Sequence, residues 1–132
     1  MMHIAMSTAL TRGIRVIVRT RYLPDQSAPA RKQYRFAYTV RITNESDDRV
    51  QLKTRHWVIT DADGHVEEVR GPGVVGQQPV IEPGHGFEYT SGCELNTPRG
   101  TMMGSFQMQL PDGERFDCEV ASFELALPTT LN

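Results

Sequence analysis

From Tyr34 to Asn44 the chain alternates without interruption. Tyr34, Phe36, Tyr38, Val40 and Ile42 share one parity, and Arg35, Ala37, Thr39, Arg41 and Thr43 share the other. A period of two over this length predicts a strand with one buried and one solvated face. Its buried face is aromatic and β-branched, which places it centrally in a sheet. Ile14 to Tyr22 repeats the pattern, with Ile14, Val16 and Val18 set against Arg15, Arg19 and Arg21 and with Ile17 intruding on the polar side. In Val50 to Thr60 the apolar weight changes parity around His56 and Trp57, so the strand either bulges there or packs on both faces near its end. Phe87 to Cys93 is a further strand, and Met102 to Leu110 alternates with Met102, Gly104, Phe106, Met108 and Leu110 inward. The last run starts with Phe116, Cys118 and Val120 inward and resumes with Phe123, Leu125 and Leu127. That change of parity requires a bulge near Ala121-Ser122, since otherwise one set would face water.

Turn chemistry separates these runs. Asn44 to Asp48, Asp61 to Gly64, Glu82 to Gly86 and Pro111 to Glu114 carry the Asn, Asp, Pro and Gly residues that reverse a chain. His65 to Arg70 is a short polar strand suited to an edge, and Val80-Ile81 is a brief extended piece. Leu23 to Gln33 has two prolines and no periodicity, and is expected to be a long mobile loop. The tally is seven or eight antiparallel strands with no helical period. This predicts an all-β chain folded as an immunoglobulin-like or fibronectin type III-like antiparallel β-sandwich, with a small barrel as the alternative. One domain over residues 12–127 is expected, with a loose tail at 1–11 and another at 128–132.

Composition narrows this picture. The chain of 132 residues is 39% hydrophobic, enough to fold as one domain, and no run is long and apolar enough to span a bilayer. Met1 to Gly13 lacks a basic start and a sustained apolar core, so a cytoplasmic location and free thiols at Cys93 and Cys118 are expected. The net charge of -2 argues against dedicated nucleic-acid binding. Its distribution is uneven: residues 1–57 carry +7 and residues 58–132 carry -9. Arg15, Arg19, Arg35, Arg41, Lys53 and Arg55 either form a basic patch or lie on solvated strand faces.

Gly71-Pro72-Gly73-Val74-Val75-Gly76 fits G-x-G-x-x-G to the letter. In a dinucleotide site those glycines permit a tight turn and close phosphate approach at a helix N-terminus. No helix follows Gly76, because Gln77-Gln78-Pro79 leads on to Pro83-Gly84, and no βαβ unit surrounds the motif. Three readings stay open. The glycines allow a structural crossover with Val74 and Val75 plugging the sandwich end. Alternatively, Val74, Val75, Gln77 and Trp57 project an apolar patch for a protein partner. In the third, the amides of Gly71, Gly73 and Gly76 with Arg70 bind phosphate, pyrophosphate or a nucleotide weakly. His3, His56, His65 and His85 show no metal-ligand spacing, and no nucleophile stands at a fixed spacing from a base. Neither a cofactor nor a catalytic residue is expected.

Several segments, in this order, resemble the ApaG family. They are Tyr38 to Asn44, Leu52 to Trp57, Ile59 to Asp61, Gly71 to Pro79, Phe87 to Gly92 and Gly100 to Phe106, and the likeness covers most of residues 12–127. The resemblance implies a fibronectin type III-like sandwich. It also implies a small standalone protein associated with cobalt and magnesium efflux, although neither a membrane span nor a metal constellation is visible. Related domains in eukaryotic F-box proteins and in a DNA-polymerase-interacting protein look like protein-interaction modules. The family signature is the glycine loop at 71–76, with Trp57, Tyr89 and Phe106 as its surrounding aromatics. The resemblance brings no catalytic residue. The expected role is therefore a non-catalytic protein-binding module, a monomer or weak homodimer, with an unknown protein partner and an indirect link to metal tolerance.

Overall fold

The computed structural model describes residues 5–128. They form a two-layer antiparallel β-sandwich of nine strands. One sheet orders β1 (Met6–Thr11), β2 (Ile14–Tyr22), β3 (Tyr34–Asn44) and β7 (Gly86–Leu95) as β1-β2-β3-β7. The other orders β5 (Val66–Pro72), β4 (Val50–Asp61), β8 (Arg99–Gln109) and β9 (Arg115–Ala126) as β5-β4-β8-β9. The two-residue β6 (Val80–Ile81) also pairs with β4.

β3 lies between β2 and β7, as its buried face requires, and sends Phe36, Tyr38, Val40 and Ile42 into the core. The bulge expected in the last strand is present. Met102 of β8 faces Phe123 of β9 while Gly104 faces Val120, so Ala121-Ser122 oppose Met103 alone. The extra residue lets Val120 and Phe123 both point inward.

In β4 the bulge lies earlier than expected, between Leu52 and Thr54. From Lys53 onward the inward parity passes to Arg55, Trp57 and Ile59. Trp57 is buried, making edge contacts with Tyr38, Phe106 and Phe123 at centroid distances of 5.6, 5.7 and 6.1 Å. Its indole lies over Gly104, where a Cβ would come within 3.1 Å of Cε3 and 2.0 Å of the His56 carbonyl oxygen.

Two expectations are corrected. Within the expected tail at 1–11, Met6–Thr11 is a strand, paired with β2 through a hairpin at Arg12-Gly13 and packed on β9. This is why nine strands replace seven or eight. The 23–33 loop contains 3₁₀ turns at Pro24–Gln26 and Pro29–Arg31 and an Ala28–Gln33 bridge. Of the expected tail at 128–132, residues 129–132 lie outside the described residues. The basic patch is not assembled either. Arg15, Arg35 and Arg41 pair with Glu45, Glu94 and Glu88, and Arg55 turns inward.

The layers close along one side, where β9 packs on β1 and β2. There the Thr20 hydroxyl donates to the Glu124 carbonyl and the Glu119 amide donates to the Thr11 hydroxyl. The opposite side is bounded by β5 and β7, the outermost strands of their sheets.

Candidate functional site

A cleft of about 700 Å³ opens on that side, between the free edges of β5 and β7. Its floor comes from β4 and β3, its walls from β5 and β7, and one end is closed by the glycine loop. The bulge in β4 builds that end. The Lys53 carbonyl accepts the Gly73 amide at 2.9 Å and the Gln78 side-chain amide at 2.8 Å. Arg55, turned inward by the same bulge, donates from Nη1 to the carbonyls of Pro72 and Gly73, both at 2.9 Å. Gly71 is required beneath it, since a Cβ there would come within 3.0–3.2 Å of the guanidinium atoms.

The loop itself is a two-residue hairpin. The Val74 amide donates to the Gln77 carbonyl at 2.8 Å and the Gln77 amide donates to Val74 at 2.9 Å. Val75 and Gly76 between them have φ of 43° and 79°. Positive φ at both central residues is the type I′ arrangement, which favours Asn and Gly and strains a β-branched residue. Gly73 also has positive φ, and a Cβ there would meet the Gln77 oxygen at 2.2 Å.

The expected binding residues therefore separate. Val74 is 1% exposed and Trp57 3%, so neither belongs to a projecting patch: Val74 plugs the core, while Val75, at 54%, stands out at the rim with exposed Gln77. The burial of Val74 and Trp57 corrects the apolar patch expected from Val74, Val75, Gln77 and Trp57. Arg70 sits opposite His56 on the outer face of its sheet, away from the cleft, near Glu68 at 3.9 Å. The amides of Gly73, Val74 and Gln77 already serve backbone carbonyls. The loop does not gather Gly71, Gly73, Gly76 and Arg70 into an anion nest.

The cleft instead brings together residues that the sequence reading did not combine: Arg55, Tyr38, Tyr89, Ser91, Cys93 and Glu67. Two of its polar atoms lack a partner. Trp57 Nε1–H and the Tyr89 hydroxyl are buried with no protein group within hydrogen-bonding distance. Among the described residues only Ser7 Oγ, in β1, shares that condition. Burial raises the pKa of both Tyr38 and Tyr89, with the Ser91 hydroxyl drawing Tyr38 part of the way back. Burial, helped by Glu67 and Glu94, pushes the Cys93 thiol up to about 11. These groups are neutral at pH 7, so the charge at the cleft comes from Arg55 and Glu67, with Glu94 on its border paired to Arg35. Among the described residues no cluster of three or more His, Cys, Asp or Glu side chains could hold a metal ion.

The sequence motifs and this geometry meet in one finding. The family model described as ApaG domain matches residues 24–110, which include β3 to β8 and the glycine loop. The chain belongs to the ApaG family. It is 54% identical over 123 residues to protein ApaG of Methylobacterium nodulans, covering 93% of this chain and 95% of that protein. Protein ApaG of Rhodospirillum centenum is likewise 54% identical, with the same coverage. The crystal structure of a Bordetella pertussis protein described as ApaA superposes with a TM-score of 0.86 at 53% identity, covering 89% of this chain and 95% of that one.

Proposed function

We propose that this ApaG-family chain is a non-catalytic protein-binding module on a fibronectin type III-like sandwich, and that it receives an extended segment of a protein partner in the β5–β7 cleft. The observation that carries this reading is the cleft itself, which lies between two free strand edges and is lined by Tyr38, Trp57 and Tyr89, with Arg55 at one end and Glu67 at the other. A free edge offers main-chain groups to an added strand. The strained and exposed Val75 stands where such a segment would pass. A link to cobalt or magnesium tolerance then runs through the partner, in the cytoplasm, and not through a metal held by this chain.

Trp57 is the single tryptophan, so its emission reports on the cleft directly. The test is to pan a random-peptide library against the purified protein. Selected peptides should shift Trp57 emission and bind Val75→Asp, an exposed substitution compatible with positive φ, more weakly. Peptides that bind both forms equally and leave the emission unchanged would place the binding surface elsewhere and end this reading.

A further inference from the structure

The cleft carries opposite charges at its two ends, and the register of its strands shows how. Along the inward face of β4 stand Arg55, Trp57 and Ile59, and directly across on β5 stand Gly71, Val69 and Glu67. Arg55 therefore marks the end under the glycine loop, and Glu67, opposite Ile59, marks the other. Trp57 and Val69 lie midway. On β7, Tyr89 lies near the Arg55 end, and Cys93, whose thiol senses the Glu67 carboxylate, lies near the acidic end. Arg55 and Ile59 stand four positions apart along the strand, a span of about 13 Å.

The two charges differ in how they are held. Arg55 Nη1 is committed to two loop carbonyls, so the guanidinium is fixed while donors on Nε and Nη2 remain. Glu67 is exposed and has no ion-pair partner among the described residues, whereas the neighbouring Glu94 pairs with Arg35 at 3.3 Å. Each end thus presents one charge of opposite sign, with an apolar and aromatic stretch between them.

Resting on the proposed role in binding an extended segment, we infer that the cleft selects a strand carrying an acidic and a basic side chain four residues apart, with an apolar residue midway. Side chains at i, i+2 and i+4 of an extended chain share one face. The acid then meets Arg55, the apolar residue lies over Trp57 and Val69, and the base meets Glu67. The order of the charges reports which edge is extended. Antiparallel addition to β5 places the acid first, and antiparallel addition to β7 places the base first.

The test uses end-blocked synthetic peptides in which aspartate and lysine flank a leucine at that spacing, in both orders, with serine elsewhere. Affinity is read from Trp57 emission and by calorimetry. One order should bind about tenfold more tightly than the same peptide with either charge replaced by serine, the effect of one partly desolvated charge pair. Glu67→Lys should reverse the requirement at that end and favour the peptide carrying aspartate at both positions. Glu67 is exposed, so this variant leaves the core untouched. Peptides that bind and shift Trp57 emission without regard to their charges, or to Glu67→Lys, would overturn the charge code while sparing the peptide-binding role. If no peptide, library-selected or designed, alters Trp57 emission, both fail. A shift produced by inorganic phosphate alone, or by raising the protein concentration alone, would assign the cleft to an anion or to a second copy and overturn the proposal.

Discussion

Val75 allows the strain in the glycine loop to be measured separately from the loop's contacts. Its φ of 43° puts a β-branched side chain in the left-handed region, where a residue of this kind costs about 1–3 kcal/mol. Asparagine is among the residues that best tolerate the first central position of a type I′ turn. Val75→Asn should therefore recover about 1.5 kcal/mol of backbone strain. Against this stands the lost burial of the isopropyl group, which is small because Val75 is 54% exposed, about 0.5 kcal/mol. The net gain of about 1 kcal/mol corresponds to a rise in Tm of roughly 3–5 °C for a chain of this length. Urea and thermal unfolding followed by circular dichroism would measure it, with Val75→Ala between the two because it removes the branch but keeps the Cβ. The same asparagine should weaken binding of cleft-directed peptides. A Val75→Asn protein that melts at or below the wild-type temperature would show that the valine holds the loop through contacts, and the strain argument would fail.

Two further outcomes follow from buried polar groups. Fully buried Asn44 donates from Nδ2 to the carbonyls of Asp48 and Ile81 at 2.7 and 2.9 Å, and its Oδ1 accepts the Ser46 amide and hydroxyl. Asn44→Ala leaves these groups unmatched and should cost about 2–4 kcal/mol in urea unfolding, with Asn44→Asp no better because its charge faces two carbonyls. The Cys93 and Cys118 thiols, pushed by burial from 9.0 to about 11 and about 12, should alkylate slowly in the folded protein, with Cys93 showing about 100-fold less thiolate at pH 8 than an ordinary cysteine. The sign for stability is alkaline loss. Below pH 9 folded and unfolded chains both keep these protons. Above it the unfolded chain releases them first, so stability falls through pH 11–12, and Cys93→Ser should flatten part of that slope.

The strands with a buried apolar face were legible because a period of two has one cause, a sheet with an inside and an outside. β3, β8 and the parity change in β9 could be read that way down to the bulge at Ala121-Ser122. β1 could not, because its pattern is inverted. Met6 and Leu10 face solvent while Ser7, Ala9 and Thr11 turn toward β9, so pairing with β2 and packing on β9 hold the strand without an apolar stripe. The glycine loop was visible as a motif, but not the opposite fates of its two valines, which depend on a turn type that a β-branched residue disfavours. Arg55 was the nearest miss. Once Trp57 is placed inside, Arg55 shares its parity and must point inward too, yet the apolar pattern shows the parity change only at His56 and Trp57, while the bulge that causes it lies at Lys53. Glu67 and Tyr89 could not be joined to it from sequence, because only the packing of two sheets brings the edges of β5 and β7 face to face.

The distribution of unfavourable features in this fold is itself informative. At the turn after β3, Asn44 is buried and both ends of its amide are matched. At the closed side, hydroxyls from one sheet bond to the backbone of the other, and among the described residues Ser7 Oγ is the one buried polar side-chain atom left unpartnered outside the cleft. The cleft holds two unpartnered buried donors and an inward-turned arginine, and a β-branched residue at positive φ stands on its rim. Ordinary core residues would remove most of these costs. Phenylalanine in place of Tyr89 would discard one orphaned hydroxyl, and asparagine in place of Val75 would relax the turn. A sandwich selected for stability alone would have no reason to gather such costs at one opening. Their concentration between two free strand edges fits the proposed binding role, which needs a fixed charge and a rigid rim held ready for the partner.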